Sequence, residues 1–181
     1  MVGIDIEKWK QNSANKDYVQ QNDIDFYANK MINAKVVQCS TVTGENMNQL
    51  MADDIFVHFL EIEKNRTKEK NQKKLQYRKT MKFDCELSVL CAGNESSCIL
   101  PFLSYFKNGN SEDTSDISES FDGDHYYKNN LFEYHMTKTS VQEGYKKIKQ
   151  GQKDVQVILL VFSLIHKETF RKIVDIWCVI K

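Results

Sequence analysis

A mainly β fold with a minor helical part, built as a small five-stranded barrel, is what the sequence predicts, and three observations carry the reading. The last third holds two apolar runs, Val155 to Ile165 and Thr169 to Ile180, separated only by His166, Lys167 and Glu168. Runs rich in Val, Ile, Leu and Phe around a short polar joint are what an antiparallel hairpin requires. The same device occurs earlier, where Phe83 to Leu90 and Ser97 to Leu103 flank the turn Gly93-Asn94-Glu95. Between the pairs, Ser140 to Lys149 reads as a short helix with Ser140 as N-cap, Glu143 completing a capping box and Gly151 ending it.

The elements follow in chain order. Ile4 to Gln21, with Ile6, Trp9 and Tyr18 among polar residues, reads as an N-terminal helix or an ordered arm. Trp9 is either a clamp onto the domain's own surface or an anchor for a partner. Ile24 to Val42 reads as a long first strand through Phe26, Ile32, Ala34, Val36 and Val37, and Asp54 to Ile62 as a buried strand. His58 lies alone in that strand as a core or edge histidine. Residues 1–23 are thus an arm or helix, and residues 24–181 a barrel with insertions near 64–80 and 107–124. The order of strand, strand pair, helical connector and strand pair is that of the oligonucleotide/oligosaccharide-binding (OB) barrel, whose helix lies between its third and fourth strands.

Composition bounds the function. At 181 residues the chain can bury one core. Its 25 basic residues balance 25 acidic ones, whereas a domain that grips phosphates carries a basic excess, so autonomous DNA binding is expected to be weak or absent. The charges are segregated into a basic stretch from Lys64 to Lys82 and an acidic one from Glu112 to Asp124. Each reads as a solvated insertion or as an electrostatic docking segment. The five cysteines are odd in number and follow no secretory signal, which points to reduced, strand-core thiols in an intracellular protein. No apolar run approaches a membrane span. Catalysis has little to recommend it: there is no phosphate loop, nucleophile elbow or metal-spaced His/Cys set, and no cofactor or metal is expected. His125 and His135 flank Glu133, with Asp124 nearby, which makes a general base imaginable but does not make an enzyme. The chain ends at Lys181 directly after an apolar run, as a fragment would.

Cys85 to Leu100, with the turn around Gly93 and Asn94, resembles the strand-turn-strand of the telomerase-recruiting shelterin subunit, and Val155 to Ile165 with Phe170 to Ile180 is similar to its closing strand pair. The Lys/Asn/Gln bias looks like that of a ciliate protein. The resemblance implies a shelterin-like accessory subunit of ciliate telomerase, nuclear and telomeric, with the reverse transcriptase and other OB-fold subunits as partners. It implies a non-catalytic processivity role, since a few kcal/mol of differential binding changes residence time strongly. An acidic patch engages the polymerase in that family. By region, that role falls here to Asp113, Asp116, Glu119, Asp122 and Asp124, with Tyr126 and Tyr127 beside them and Trp9 as a further candidate. Two alternatives stay open: a barrel that binds single-stranded nucleic acid through aromatics such as Tyr105, Phe106 and Trp177 over a basic groove, and an intracellular barrel that encloses a small ligand.

Overall fold

The structure, a computed structural model, describes residues 1–31, 34–57, 85–97, 99–109, 114, 117, 119–127, 130–151 and 155–178. Its described residues build an open six-stranded sheet: β1 (Val2–Ile4), β2 (Val37–Gln38), β3 (Cys85–Ala92), β4 (Ser120–Tyr127), β5 (Asn130–Thr139) and β6 (Val157–Ser163), in the order β2-β1-β6-β3-β5-β4. Five strands run parallel and β4 pairs antiparallel with β5 at one edge. The helices are α1 (Ile6–Gln11), α2 (Gln21–Lys30), α3 (Met47–Gln49, running into a wider π-helical turn at Leu50–Phe56), α4 (Ile99–Asn108), α5 (Val141–Lys149) and α6 (Lys167–Trp177). This is an α/β fold. The expected mainly β, five-stranded OB barrel is overturned, because the sheet has two free edges, β2 and β4, and does not close.

Both expected hairpins fail for one reason: apolar content outweighed period. After β6 the chain turns at Leu164 and Ile165 and enters α6, not a second strand. Thr169, Phe170, Ile173 and Val174 are its buried residues, while Glu168, Arg171, Lys172 and Asp175 are exposed. That is the 3.6-residue period of a helix. Ser97 to Leu103 is likewise a short turn followed by α4, which buries Ile99, Phe102 and Leu103 and places Pro101 in its first turn, where a missing N–H costs nothing. With neither hairpin formed, the segments that carried the likeness to the shelterin subunit lack the pairing that likeness needs. The long first strand is replaced by α2 and the two-residue β2. Residues 54–57 lie in helical turns where a strand was expected, and the rest of that stretch, His58 included, falls outside the described residues, as does the basic insertion. Within the segment read as an N-terminal helix or arm, Ile6–Gln11 is helical, and β1 before it lies between β2 and β6.

The expected helix at Ser140 forms. Ser140 Oγ accepts from the Glu143 N–H at 3.2 Å and donates to the Glu143 carboxylate at 3.2 Å, a variant of the capping box.

Two apolar clusters sandwich the sheet. One face packs Leu87, Val89 and Cys91 of β3, Phe132 and Met136 of β5 and Val161 of β6 against Phe102 of α4 and Phe56. Phe56 and Phe132 meet with ring centroids 4.5 Å apart. The opposite face packs Leu160 and Phe162 of β6 and Ala92 of β3 against Phe170 and Ile173 of α6, Val141 of α5 and Ile24 of α2. Burial of this apolar surface holds the layers together. Among the described residues, β4 and β5 contribute nothing to this second cluster. Gly123 on β4 lies opposite Tyr134, and a Cβ there would come within 2.4 Å of the Tyr134 ring, so only glycine lets that ring cross the strand.

Candidate functional site

The parallel strands end together on one edge, and the residues that follow them share a character. Asp5 follows β1, Ser40 lies two residues beyond β2, Gly93 and Asn94 follow β3, and Thr139 and Ser163 close β5 and β6. Asp5, Ser40, Thr41, Ser97, Thr139, Ser163 and Thr169 are buried, and of the buried polar side chains among the described residues only Ser104 lies elsewhere, within α4.

These groups form a network at β1 and β6. Ser163 Oγ donates to Asp5 Oδ2 at 2.6 Å. The Ser163 N–H donates to Thr169 Oγ1 at 3.0 Å, and that hydroxyl donates to the His166 carbonyl at 2.7 Å. Asp5 has a left-handed backbone, φ 68°, a conformation that Asp tolerates better than most residues but that still costs about 1 kcal/mol. At the neighbouring ends, Ser40 Oγ accepts from the N–H groups of Val42 and Thr43 at 3.1 and 2.9 Å, and the Gly93 N–H donates to the Thr139 carbonyl at 3.1 Å. Three buried polar atoms nearby have no partner among the described residues: Glu7 Oε2, Asn94 Nδ2 and Thr139 Oγ1. Burial pushes the Cys39 thiol up to about 12, with the charges of Glu7 and Asp5 adding to it. Cys39 is therefore not a nucleophile at neutral pH.

The chain leaves β1 toward β2 on one side and β3 toward β5 on the other, with β6 between them. In open α/β sheets ligands bind where the direction of winding reverses, outside the carboxyl ends. A cleft of about 440 Å³ opens there, lined by Lys16, Asp17, Ser96, His166, Lys167, Thr169 and Arg171 among others. α6 starts at this cleft, and no side chain caps its N-terminus. Arg171 is paired with Glu168 at 2.6 Å, and Lys167 lies 3.6 Å from Asp23.

A second cleft, of about 460 Å³, opens at the other end of the sheet. Val2, Val37 and Val157, at the starts of β1, β2 and β6, line it with Met31, Leu50, Ile55 and Trp177. Its polar lining includes Lys30, Gln156 and the ion pair of Lys35 with the largely buried Asp54. Burial draws the Met1 amine down to about 6, with the Asp54 charge pulling the other way.

Of the residues expected to bind a partner, those whose side chains are described, Trp9, Glu119, Asp122 and Asp124, line neither cleft. Asp113 and Asp116 lie outside the described residues. Glu119 is exposed just before β4, and Asp122 and Asp124 are exposed on β4, where Asp122 pairs with His135 Nδ1 at 2.5 Å. Tyr126 and Tyr127 belong to β4 by backbone, and their side chains are outside the description. Trp9 is a clamp: its Nε1–H donates to the Val19 carbonyl at 2.8 Å. Pairing also sets Glu133 between Asp124 and Glu86, a row of three carboxylates across β4, β5 and β3 that no sequence spacing revealed. Like charges so placed are mildly destabilising; Glu86 and Asp124 are exposed, and Glu133 is half-buried. Among the described residues no group of three His, Cys, Asp or Glu side chains is arranged to hold a metal ion.

The carboxyl-edge residues went unnoticed in the sequence, although a signal exists: Asp5, Asn94 and Ser163 each stand within two residues of the end of a buried apolar run. No family model matches the chain, and no curated protein does.

Proposed function

We propose that this chain is a binding domain for a small phosphorylated ligand, held over the carboxyl ends of β6 and β3. The observation that carries the reading is the gathering of buried polar side chains on that edge, beside a cleft at the point where the winding reverses. Preference for an anion is supported by the uncapped start of α6 and by the lining charges, in which Lys16, Lys167 and Arg171 outnumber Asp17 and Glu168. The volume suits a sugar phosphate or a mononucleotide better than a polymer.

The test is a titration of the chain with ribose 5-phosphate and with ribose, followed by amide chemical shifts. Saturable shifts at Ser96 and at residues 165–171 with the phosphate ester alone support the reading. The double variant Lys167→Ala/Arg171→Ala should weaken binding about tenfold. Shifts that map elsewhere, or an unaltered affinity in that variant, would overturn it.

A further inference from the structure

We propose that the cleft at the amino ends of the strands is a second ligand site, independent of the carboxyl-edge reading, and that it takes an amphipathic carboxylate: the hydrocarbon chain lies between the strand starts and the π-helical turn, and the head group binds Lys30 and Trp177.

The walls set the chain-binding part. Val2, Val37, Val157, Leu50 and Ile55 all line this space of about 460 Å³, within the range of small-molecule sites. Such a surface gains from covering hydrocarbon and offers little to a polar ligand.

The rim sets the head group. Trp177 Nε1 is a buried donor without an acceptor among the described residues, and Trp177 lines the cleft. Buried donors are almost always satisfied, so an orphan on a cleft wall marks where an acceptor belongs. Lys30 lines the same cleft. Its Nζ stands 4.1 Å from the centre of the Phe26 ring and has no carboxylate partner among the described residues. Its charge reaches Cys178, the residue after Trp177, lowering that thiol's pKa against the larger upward push of burial. Lys30 and Trp177 therefore line one cleft. Both are donors, and one of them is charged, which is the complement of a carboxylate's two oxygens. Asp54 does not oppose this, since Lys35 already pairs with it. A cationic head group would meet Lys30, and among the described residues no unpaired carboxylate lines the cleft to receive it.

The experiment is calorimetric titration of the 181-residue chain with dodecanoate, dodecanol and dodecylammonium, each below its micellar concentration. Expected is saturable 1:1 binding of dodecanoate, about tenfold weaker binding of dodecanol, and no saturable binding of dodecylammonium. Trp177→Phe should weaken dodecanoate about tenfold. Lys30→Met, at an exposed position whose replacement does not disturb the core, should weaken it about threefold. Lys167→Ala/Arg171→Ala should leave it unchanged, which separates this site from the carboxyl edge. Absence of saturable dodecanoate binding, equal affinity for the three head groups, or full affinity in both Lys30→Met and Trp177→Phe would overturn the proposal.

Discussion

At their carboxyl ends the parallel strands β1 and β6 give way to Asp5 and Ser163, while at their amino ends they begin with Val2 and Val157. The first edge is a hydrogen-bonded network of short polar side chains, and the second is an apolar cleft with a few polar groups at its rim. The difference follows from what each edge must do. On the carboxyl side the chain turns at once, into α1 after β1 and toward α6 after β6, and backbone groups leaving the ladder need partners that Ser, Thr and Asp supply over short range. On the amino side β1 begins at the second residue and β6 is entered after α5, and apolar packing is joined there by a few polar contacts, such as Gln156 Oε1 accepting from the Ser88 N–H at 2.7 Å. Deleting a polar atom should therefore cost most where it is bonded into the carboxyl-edge network and least where it makes no hydrogen bond.

The largest effect is expected at Asp5. Asp5→Ala removes the acceptor of the buried Ser163 hydroxyl and leaves a non-glycine residue at φ 68° without the local tolerance of Asp. The cost should be about 3 kcal/mol in urea unfolding. Asp5→Asn keeps a side-chain oxygen and the backbone tolerance, and should cost about 1 kcal/mol. Equal costs for the two variants would show that the Asp5–Ser163 contact contributes little.

Next comes the Met1 amine at the opposite edge. Its pKa is about 6 in the folded chain against an ordinary 8.0, so between these values the unfolded state binds more protons and stability rises with pH. The penalty is complete below pH 6 and absent above pH 8, on the order of 2 kcal/mol across the window. The same chain acetylated at Met1 should lack this slope, and the difference between the two urea midpoints at pH 5.5 and pH 8.5 isolates it. Parallel profiles would remove the buried amine from the account.

Thr169→Val returns to the carboxyl edge with a smaller change. The valine fills the same space but neither accepts from the Ser163 N–H nor donates to the His166 carbonyl. The buried Ser163 N–H is left to find a substitute, while the His166 carbonyl keeps the Thr169 N–H at 3.0 Å, so about 1–2 kcal/mol should be lost.

Legibility in the sequence divides along similar lines. The α5 cap could be read, because Ser140 and Glu143 act over three residues, and the β6 strand could be read, because Val157 to Phe162 is unbroken apolar sequence. α6 is legible in its period, since Phe170, Ile173, Val174 and Trp177 recur at helical spacing, but apolar content alone points to a strand. β1 could not. Three residues do not announce a strand, and Val2–Ile4 is one because β2 and β6 pair with it on both sides. The site was hidden for the same reason. Asp5 and Ser163 are 158 residues apart, and only the parallel pairing of β1 with β6 brings them together.

The smallest effect sharpens the comparison most. Trp177 Nε1 is buried like the atoms of the carboxyl network, yet it has no partner among the described residues. Removing a group that makes no hydrogen bond forfeits none and relieves its desolvation, which offsets the lost area of the smaller ring. Trp177→Phe keeps an aromatic ring to meet Tyr145, whose centroid lies 5.8 Å away, and should change stability by less than about 0.5 kcal/mol in the ligand-free chain. Thr169→Val deletes a polar atom of the same burial at the other end of the same helix, so the two variants differ in whether that atom is bonded. A loss at Trp177 as large as that at Thr169 would mean that its N–H is satisfied in solution, and the contrast between the two edges would fail at its most direct comparison.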